Sequence, residues 1–239
     1  MPSPDLPATS LTSVAPPFAQ GSGITDITAL VLAGGRGARM GGVDKGLQPF
    51  RGQPLVRHAL VRLAGQEGGP LHGVLVNANR NPELYLQQAQ ACFDIGTARV
   101  VADRVQDFSG PLAGFEAGLA LCSSPLLLTV PCDSPLFPLD LASRLLNALM
   151  TAEADIAVAQ ALESGRDGHS VLRSQPVFCL LKASLHESLS GFLASGGRKI
   201  DAWTAQHRVV QVPFNTAADD PRAFANANTL DELRSLENI

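Results

Sequence analysis

The stretch from Leu32 to Gly46 reads L-A-G-G-R-G-A-R-M-G-G-V-D-K-G and combines glycines with fixed positive charge. Glycines have no Cβ, so backbone N–H groups in such a loop can approach phosphate oxygens closely. Arg39 and Lys45 would add charge to that concavity, because guanidinium and ammonium groups both bind phosphate. The pattern predicts a loop that binds a polyphosphate.

Spacing excludes two common phosphate loops. A Walker loop requires Ser or Thr directly after its lysine, whereas Lys45 is followed by Gly46. A dinucleotide-binding G-x-G-x-x-G that began at Gly35 would need glycine at position 40, where this chain has Met40. The loop is therefore a phosphate site of another kind.

Asp133 is the second residue that suits polyphosphate chemistry. It stands in P-C-D-S-P, directly after the apolar run Leu126 to Val130. A carboxylate at the C-terminal end of a strand, on the same sheet edge as the glycine loop, suits a Mg²⁺ ion that binds a triphosphate. The alternative is an aspartate that only shapes a turn, which Pro131 and Pro135 favour. The phosphate loop on the same edge makes the metal site the preferred interpretation.

Further candidates share a position at the end of a predicted strand or the start of a predicted helix. They are Asn77 and Asp103 after the second and third strands, Gly110 and Pro111 at a helix start, and Asn226 and Asn228 before the last helix. Amides and carboxylates at such places can bind a nucleotide, but they are also common turn residues. A helix N-terminus suits an anionic ligand.

The elements that would position these residues alternate between strand-like and helix-like from position 27 onward, which is typical of a mostly parallel sheet with crossover helices. Predicted strands are 27–32, 71–76, 99–102, 126–130, 156–159, 177–181 and 209–212. Predicted helices are 54–64, 81–92, 112–122, 138–152, 182–193, one that carries Trp203, and 230–236 with Thr229 as N-cap. A polar loop is predicted for 165–170. Open sheets of this kind bind ligands at the carboxyl ends of their strands.

Composition narrows the class of protein. The 239 residues are 45% hydrophobic and carry a net charge of −4 with 5% aromatics, which argues against a nucleic-acid partner. No apolar run is as long as a membrane span. The four cysteines form no C-x-x-C pair, which favours buried thiols in a reducing cytosol, and the histidines have no metal-binding spacing. Residues 1–25 are rich in Pro, Ser, Thr and Ala without Lys or Arg, so we predict a disordered leader and a domain over 26–239.

Five motifs together resemble one family. L-A-G-G-x-x-x-R-M-G-G-x-D-K-G is similar to the signature of nucleotidyltransferases that act on small phosphorylated compounds, and the doubled glycine and D-K-G resemble the molybdenum cofactor guanylyltransferases. N-A-N-R at 77–80, G-P-L-A-G at 110–114, P-C-D-S-P at 131–135 and N-A-N-T-L-D-E-L at 226–233 follow in the family's order. The resemblance spans about positions 27 to 236.

The resemblance implies an α/β, single-domain Rossmann-like nucleotidyltransferase fold, with a mostly parallel central sheet and helices on both faces. It also implies a cytoplasmic, Mg²⁺-dependent transfer of GMP from GTP to the phosphate of molybdenum-bound molybdopterin, with release of pyrophosphate. By position, GTP would be bound by Leu32, Ala33, Gly34, Gly35, Lys45, Asn77, Asp103 and Asp133. Lys45, Arg39 and Asp133 would be catalytic, Asp133 would hold the metal, and Gly110, Pro111, Asn226 and Asn228 would contact substrate.

The alternative is a related nucleotidyltransferase: a molybdopterin cytidylyltransferase or an enzyme for a sugar phosphate or isoprenoid phosphate. Gly35 and D-K-G favour the guanylyl reaction. Gln175-Pro176 departs from the His-Pro of many relatives, so the region expected to border the pterin, 160–176, does not follow the family pattern as the nucleotide motifs do. The resemblance leaves open whether the chain is a monomer or a homo-oligomer, and whether it contacts other cofactor biosynthesis proteins or molybdoenzyme chaperones.

Overall fold

The computed structural model describes residues 22–34, 43–104, 110–164, 169–227 and 229–237. The strands within these ranges are β1 Ile27–Leu32, β2 Pro49–Phe50, β3 Gln53–Pro54, β4 Gly73–Asn77, β5 Ala98–Val101, β6 Leu126–Pro131, β7 Ile156–Ser164, β8 Ser170–Lys182 and β9 Val209–Phe214. The helices are α1 Leu55–Ala64, α2 Pro82–Gln90, α3 Pro111–Leu121, α4 Leu141–Thr151, α5 His186–Ala194, α6 Ile200–Thr204 and α7 Leu230–Glu237.

One sheet organises the described part of the chain, with strand order β5-β4-β1-β6-β8-β7-β9. β8 runs antiparallel to both of its neighbours, whereas every other neighbouring pair is parallel. The chain leaves β1 toward β4 and β5, and then returns to place β6 on the other side of β1. This reversal creates the crevice at the carboxyl ends of β1 and β6 where open α/β sheets bind ligands.

The register aligns the ends of four strands. Leu32 pairs with Asn77 on one side and with Pro131 on the other, and Asn77 pairs with Val101. The loops after β5, β4, β1 and β6 therefore begin side by side on one edge of the sheet. We call this the carboxyl edge, and the opposite one the amino edge.

Helices cover both faces of the sheet because side chains alternate along each strand. Ala29 and Val31 of β1 belong to the apolar cluster that includes α1, α2 and α4, whereas Leu30 belongs to the cluster that includes α3, α5 and α6. Strands buried on both faces explain the nearly continuous apolar runs in the sequence. The predicted fold class is confirmed.

The end of the chain returns to the start of the domain. Thr229 accepts a hydrogen bond from the Glu232 backbone N–H at 3.1 Å, and the Glu232 carboxylate accepts one from the Thr229 N–H at 3.0 Å, which is a capping box. Leu233 and Leu236 of α7 pack with Phe50 of β2 in a small separate cluster. The predicted N-cap is confirmed.

Most predicted elements are confirmed within a few residues, but the second half contains an error. The strand predicted at 156–159 continues to Ser164, and the strand predicted at 177–181 begins at Ser170, so the loop predicted for 165–170 is wrong at Ser170. The outer half of β8 pairs with β7 alone and is largely exposed, so it lacks the apolar run that predicts a buried strand. Residues 1–21 and 165–168 lie outside the described residues, and the leader and domain boundary stay predictions.

Two smaller differences concern helix starts and short strands. α4 begins at Leu141 rather than at 138, and the short β2–β3 hairpin was not predicted. No helix within the described ranges is both long and apolar enough to span a bilayer.

Candidate active site

The first polar group at the carboxyl edge is centred on Asn77, the last residue of β4. Asn77 is 2% exposed, and its amide donates to the Asp103 carboxylate at 2.8 Å and to the Val101 carbonyl at 3.3 Å. Because these bonds use the amide nitrogen as donor, Oδ1 of Asn77 remains directed toward β1 and α3, as its contacts below show. Burial and these two bonds fix this amide in one orientation.

Asn79 completes this group from the loop after β4. Its amide donates to the other oxygen of Asp103 at 2.7 Å and to the Gly34 carbonyl at 3.4 Å, and its own Oδ1 accepts the Asp103 backbone N–H at 2.8 Å. Asp103 thus receives one side-chain bond on each carboxylate oxygen. We call Asn77, Asn79 and Asp103 the amide cluster.

Two glycines allow the backbone to approach the amide cluster. A Cβ on Gly34 would lie 2.9 Å from Oδ1 of Asn77, and a Cβ on Gly114 of α3 would lie 2.5 Å from the same atom. Only glycine fits at either position without a displacement of Asn77. The glycines of L-A-G-G and G-P-L-A-G therefore have a steric reason at this site in addition to any ligand contact.

The second polar group is a pair of opposite charges. Lys45 begins a short 3₁₀ helix, Lys45–Leu47, and its ammonium donates to Oδ2 of Asp133 at 2.5 Å. Asp133 follows β6 by two residues, and both side chains are slightly less than one-fifth exposed. β4 and β6 flank β1, so the amide cluster and this pair are separated by about two strand spacings, roughly 10 Å.

The A-N-A-N segment reaches the site through its backbone. The Ala227 N–H donates to the Asp133 carbonyl at 2.9 Å, and Ala227 itself is buried. Asn226 is exposed beside this contact. Asn228 lies outside the described residues. The last of the five motifs is therefore joined directly to the loop that carries Asp133.

The predicted site residues fall into distinct positions along the carboxyl edge. Leu32 ends β1, and the Ala33 N–H that follows donates to the Asn77 carbonyl at 2.8 Å. Gly110 and Pro111 begin α3 one turn before Gly114, hence beside the amide cluster rather than beside Asp133. Gly35 and Arg39 lie outside the described residues. The predicted substrate-binding set is thus divided between the two ends of the site.

The described residues at this site supply neither a reactive thiol nor a metal cage made of side chains alone. Burial, with the adjacent Asp133 carboxylate, raises the pKa of the Cys132 thiol well above its ordinary value, so this thiol stays neutral. Cys132 is therefore a packed thiol, as the sequence predicted. Within the described ranges no three His, Cys, Asp or Glu side chains converge as a metal cage.

Comparison with known proteins identifies the family. The MobA-like NTP transferase domain matches residues 29–210, which is most of the chain. A molybdenum cofactor guanylyltransferase of Albidiferax ferrireducens is 55% identical over 213 residues, 89% of this chain and 96% of that protein. The chain belongs to the molybdenum cofactor guanylyltransferase family. It is a nucleotidyltransferase, and the resemblance found in the sequence is confirmed.

Another relative agrees with this family, and a solved structure shares its fold. A molybdenum cofactor guanylyltransferase of Ralstonia nicotianae is 54% identical over 212 residues, 89% of this chain and 96% of the relative. The molybdopterin-guanine dinucleotide biosynthesis protein A of Archaeoglobus fulgidus superposes with a TM-score of 0.65 at 19% identity, over 88% of this chain and 97% of that one.

A structure named for a different activity shares the fold. The 4-diphosphocytidyl-2C-methyl-D-erythritol synthase of Anaerococcus prevotii gives a TM-score of 0.66 at 14% identity, over 89% of this chain and 94% of that one. The fold alone therefore does not distinguish between these two named activities. The distinction rests on the relatives of more than 50% identity.

Two contacts of this guanylyltransferase-family site were not predicted as site features. Asn79, which donates to Asp103, lies in N-A-N-R but is not among the predicted site residues. Tyr85 of α2 donates from its hydroxyl to the Asp44 carboxylate beside Lys45. The one available signal was that Tyr85 is the only tyrosine of the chain.

Proposed function

We propose that this chain transfers GMP from GTP to the phosphate of molybdenum-bound molybdopterin and releases pyrophosphate. The observation that carries the proposal is the Lys45–Asp133 pair in the crevice between β1 and β6, in a chain more than half identical to proteins named molybdenum cofactor guanylyltransferase. A cation beside a carboxylate at this edge suits a triphosphate with its counter-ion. The reaction belongs in the cytoplasm, where GTP is available.

The charges along the carboxyl edge suggest how GTP lies. The amide cluster presents a carboxylate and amides, which suit ribose hydroxyls and base edges and would repel phosphates. The Lys45 ammonium suits the phosphates. We infer that the nucleoside contacts Asn77 and Asp103, and that the phosphates extend past Leu32, Ala33, Gly34 and Gly35 toward Lys45 and Asp133.

The donor set fits a magnesium ion that arrives with the nucleotide. Mg²⁺ is commonly held by one or two carboxylates together with substrate phosphates and water, so a dedicated cage is not needed. Asp133 supplies such a carboxylate: Lys45 occupies Oδ2, which leaves Oδ1 for the cation. Bound there, the ion would neutralise charge on the phosphates as the pyrophosphate leaves.

The reaction requires positioning and charge from the protein and no covalent intermediate. An oxygen of the pterin phosphate attacks the α-phosphorus of GTP, and the bond from the α-phosphorus to the bridging oxygen breaks, so pyrophosphate carries away the electron pair. The attacking phosphate is already largely ionised at neutral pH because its second pKa is about 6, so no general base is needed. Lys45, with Arg39 proposed beside it, would neutralise the triphosphate while the loop backbone holds it.

The pterin is proposed to enter from the Asp133 side. Asn226 is exposed beside the Ala227–Asp133 backbone contact, and Asn228 follows it in the chain. Gly110 and Pro111, at the exposed start of α3, stay in the proposed substrate set at the nucleoside end. Attack on the α-phosphorus requires the pterin phosphate to come between these two ends.

The direct test offers molybdenum-bound molybdopterin and Mg²⁺ with each of ATP, CTP, GTP and UTP, and measures pyrophosphate and the dinucleotide product by chromatography. We expect turnover with GTP alone. Turnover with CTP but not GTP would overturn the base assignment in favour of a cytidylyltransferase. Turnover only when a sugar phosphate or isoprenoid phosphate replaces the pterin would overturn the acceptor.

Two variants with matched controls test the site. Asp133→Ala should abolish pyrophosphate release, and Lys45→Ala should weaken GTP binding and slow turnover by about 10²–10³-fold, the usual effect of losing a group that stabilises transition-state charge. The control is a second Lys–Asp pair of similar exposure, Lys182 with Asp155 at 2.9 Å, at the amino edge. Lys182→Ala should leave turnover unchanged. Equal losses in Lys45→Ala and Lys182→Ala would show that the effect is a general loss of stability.

A further inference from the structure

Asp44, directly before Lys45, is held by helix α2 rather than by the nucleotide side of the site. One of its carboxylate oxygens accepts a hydrogen bond from the Tyr85 hydroxyl, and the other accepts one from the Asn81 amide at 2.9 Å. Asn81 is the residue before α2, and Tyr85 lies in its first turns. Although Asp44 is at the N-cap position of the short helix that begins at Lys45, its side chain makes no cap bond there. Both oxygens of the Asp44 carboxylate are therefore bonded to residues at the start of α2.

The two donors are well defined. Tyr85 is fully buried, and burial, with the nearby Cys132 and Asp44, raises the pKa of its hydroxyl far above the ordinary value, so the group remains an O–H donor. Asn81 has a left-handed backbone with φ of 49°, a conformation that asparagine adopts more readily than most residues. Both donors are therefore fixed in position before any ligand binds.

Gly46, directly after Lys45, packs on the same tyrosine. A Cβ at position 46 would lie 2.5 Å from the Tyr85 hydroxyl oxygen and 3.0 Å from its Cε1 atom. Glycine alone lets the ring lie against this turn. Both neighbours of Lys45 are thus anchored to one residue of α2, whereas the Lys45 side chain extends to Asp133 on the far side of β1.

We propose that Asp44, Asn81 and Tyr85 form a clamp that positions Lys45 for the nucleotide phosphates. In D-K-G the outer two residues anchor the turn and the lysine binds the phosphates, so this inference rests on the proposed function. A flexible lysine gains precision when its backbone is fixed on both sides. The clamp also keeps the Asp44 carboxylate occupied. Released from Tyr85, this carboxylate would compete with the phosphates for the Lys45 ammonium.

The test removes one oxygen atom. Tyr85→Phe keeps the ring against Gly46 and deletes the donor to Asp44. We expect turnover to fall by about tenfold to a hundredfold, as small displacements of a catalytic group do. The control is Thr28→Val, which deletes a buried hydroxyl that bonds Ser124 at 2.6 Å at the amino edge. Thr28→Val should lower the melting temperature by about as much as Tyr85→Phe does and leave turnover at the wild-type level.

Combination with Lys45→Ala separates positioning from general damage. If Tyr85 acts through Lys45, Tyr85→Phe should cause no further loss once the lysine is gone, so the two effects are not additive. Full additivity, or Tyr85→Phe turnover within twofold of wild type, would overturn the clamp. The wild type, the two single variants and the double variant are also titrated with GTP in a calorimeter, a measurement that needs no pterin. If the wild type makes no dinucleotide but Tyr85→Phe weakens GTP binding only while Lys45 is present, the clamp stands and the proposed acceptor fails.

Discussion

Replacing Gly114 by alanine should weaken GTP binding, because of where the added methyl group would lie. A Cβ at position 114 would be 2.5 Å from Oδ1 of Asn77 and 2.5 Å from a terminal methyl group of Leu32. The Leu32 side chain can rotate away. The Asn77 amide cannot turn without losing its 2.8 Å bond to Asp103, so either this bond breaks or α3 moves outward.

The stability change is the difference of two terms. Alanine is favoured over glycine inside a helix by about 1 kcal/mol, whereas an added methyl group in a packed interior costs about 1–3 kcal/mol. The net loss is about 0–2 kcal/mol. At roughly 2–4 °C per kcal/mol for a chain of this size, the melting temperature should fall by up to about 8 °C. Loss of one hydrogen bond to the nucleotide, worth about 0.5–1.5 kcal/mol, should weaken GTP binding by up to about tenfold.

Two other glycines provide matched controls. Gly118 lies one turn later in α3, and its Cβ would come within 2.5 Å of the Leu30 side chain, which is in the core and not at the site. Gly191 in α5 has nothing within 4 Å of its Cβ position. Gly118→Ala should lose stability but keep GTP affinity, and Gly191→Ala should gain up to about 1 kcal/mol. The assays are thermal unfolding and calorimetric titration with GTP. Wild-type GTP affinity in a Gly114→Ala protein that is as destabilised as Gly118→Ala would refute the placement of Asn77 at the nucleotide.

Three further outcomes are expected. Burial alone would raise the pKa of Asp155, but hydrogen bonds from Arg208 and Lys182 hold this pKa at about 2, below the ordinary 3.8. Because the folded pKa is depressed, Asp155→Asn should cost about 1–3 kcal/mol at pH 7, and in urea unfolding its difference from wild type should shrink as pH falls from about 4 to about 2. Burial raises the pKa of Cys179 to about 12, so native alkylation followed by mass spectrometry should label the half-buried Cys92 first, and early labelling of Cys179 would contradict this. Chelation by EDTA should stop turnover and leave the circular dichroism spectrum unchanged, with activity restored by Mg²⁺.

The central strands of the parallel half could be predicted from the sequence because they are buried on both faces. β1 and β6 read as continuous apolar runs, and each is followed by its motif. The β7–β8 arm could not be predicted in the same way. Its register shifts between Val158 and Ala159, and the outer positions of β8 are exposed, so neither a buried run nor a clean alternation marks it.

The charged site residues in the motifs could be predicted from the sequence, but the residues that hold them in position could not. Lys45 and Asp133 carry charge at positions that suit phosphate chemistry, so the residue types themselves are informative. The bond of Tyr85 to Asp44 joins residues 41 positions apart, and it depends on how α2 packs beside the loop. A tyrosine inside an amphipathic helix looks like ordinary core, since burial and a buried hydrogen bond are indistinguishable in a sequence.

The position of β1 in the sheet explains why the segment after it is the most informative part of the sequence. Ala33 donates to the Asn77 carbonyl of β4, and Cys132 donates to the Leu32 carbonyl from the loop after β6, so the end of β1 is bonded to both neighbours. No other strand among the described residues has the amide cluster on one side and the Lys45–Asp133 pair on the other. A nucleotide bound as proposed, with its nucleoside at the amide cluster and its phosphates at the Lys45–Asp133 pair, would therefore cross the end of β1. Any side chain at Gly34 would meet Asn77 on that path, so this position requires glycine.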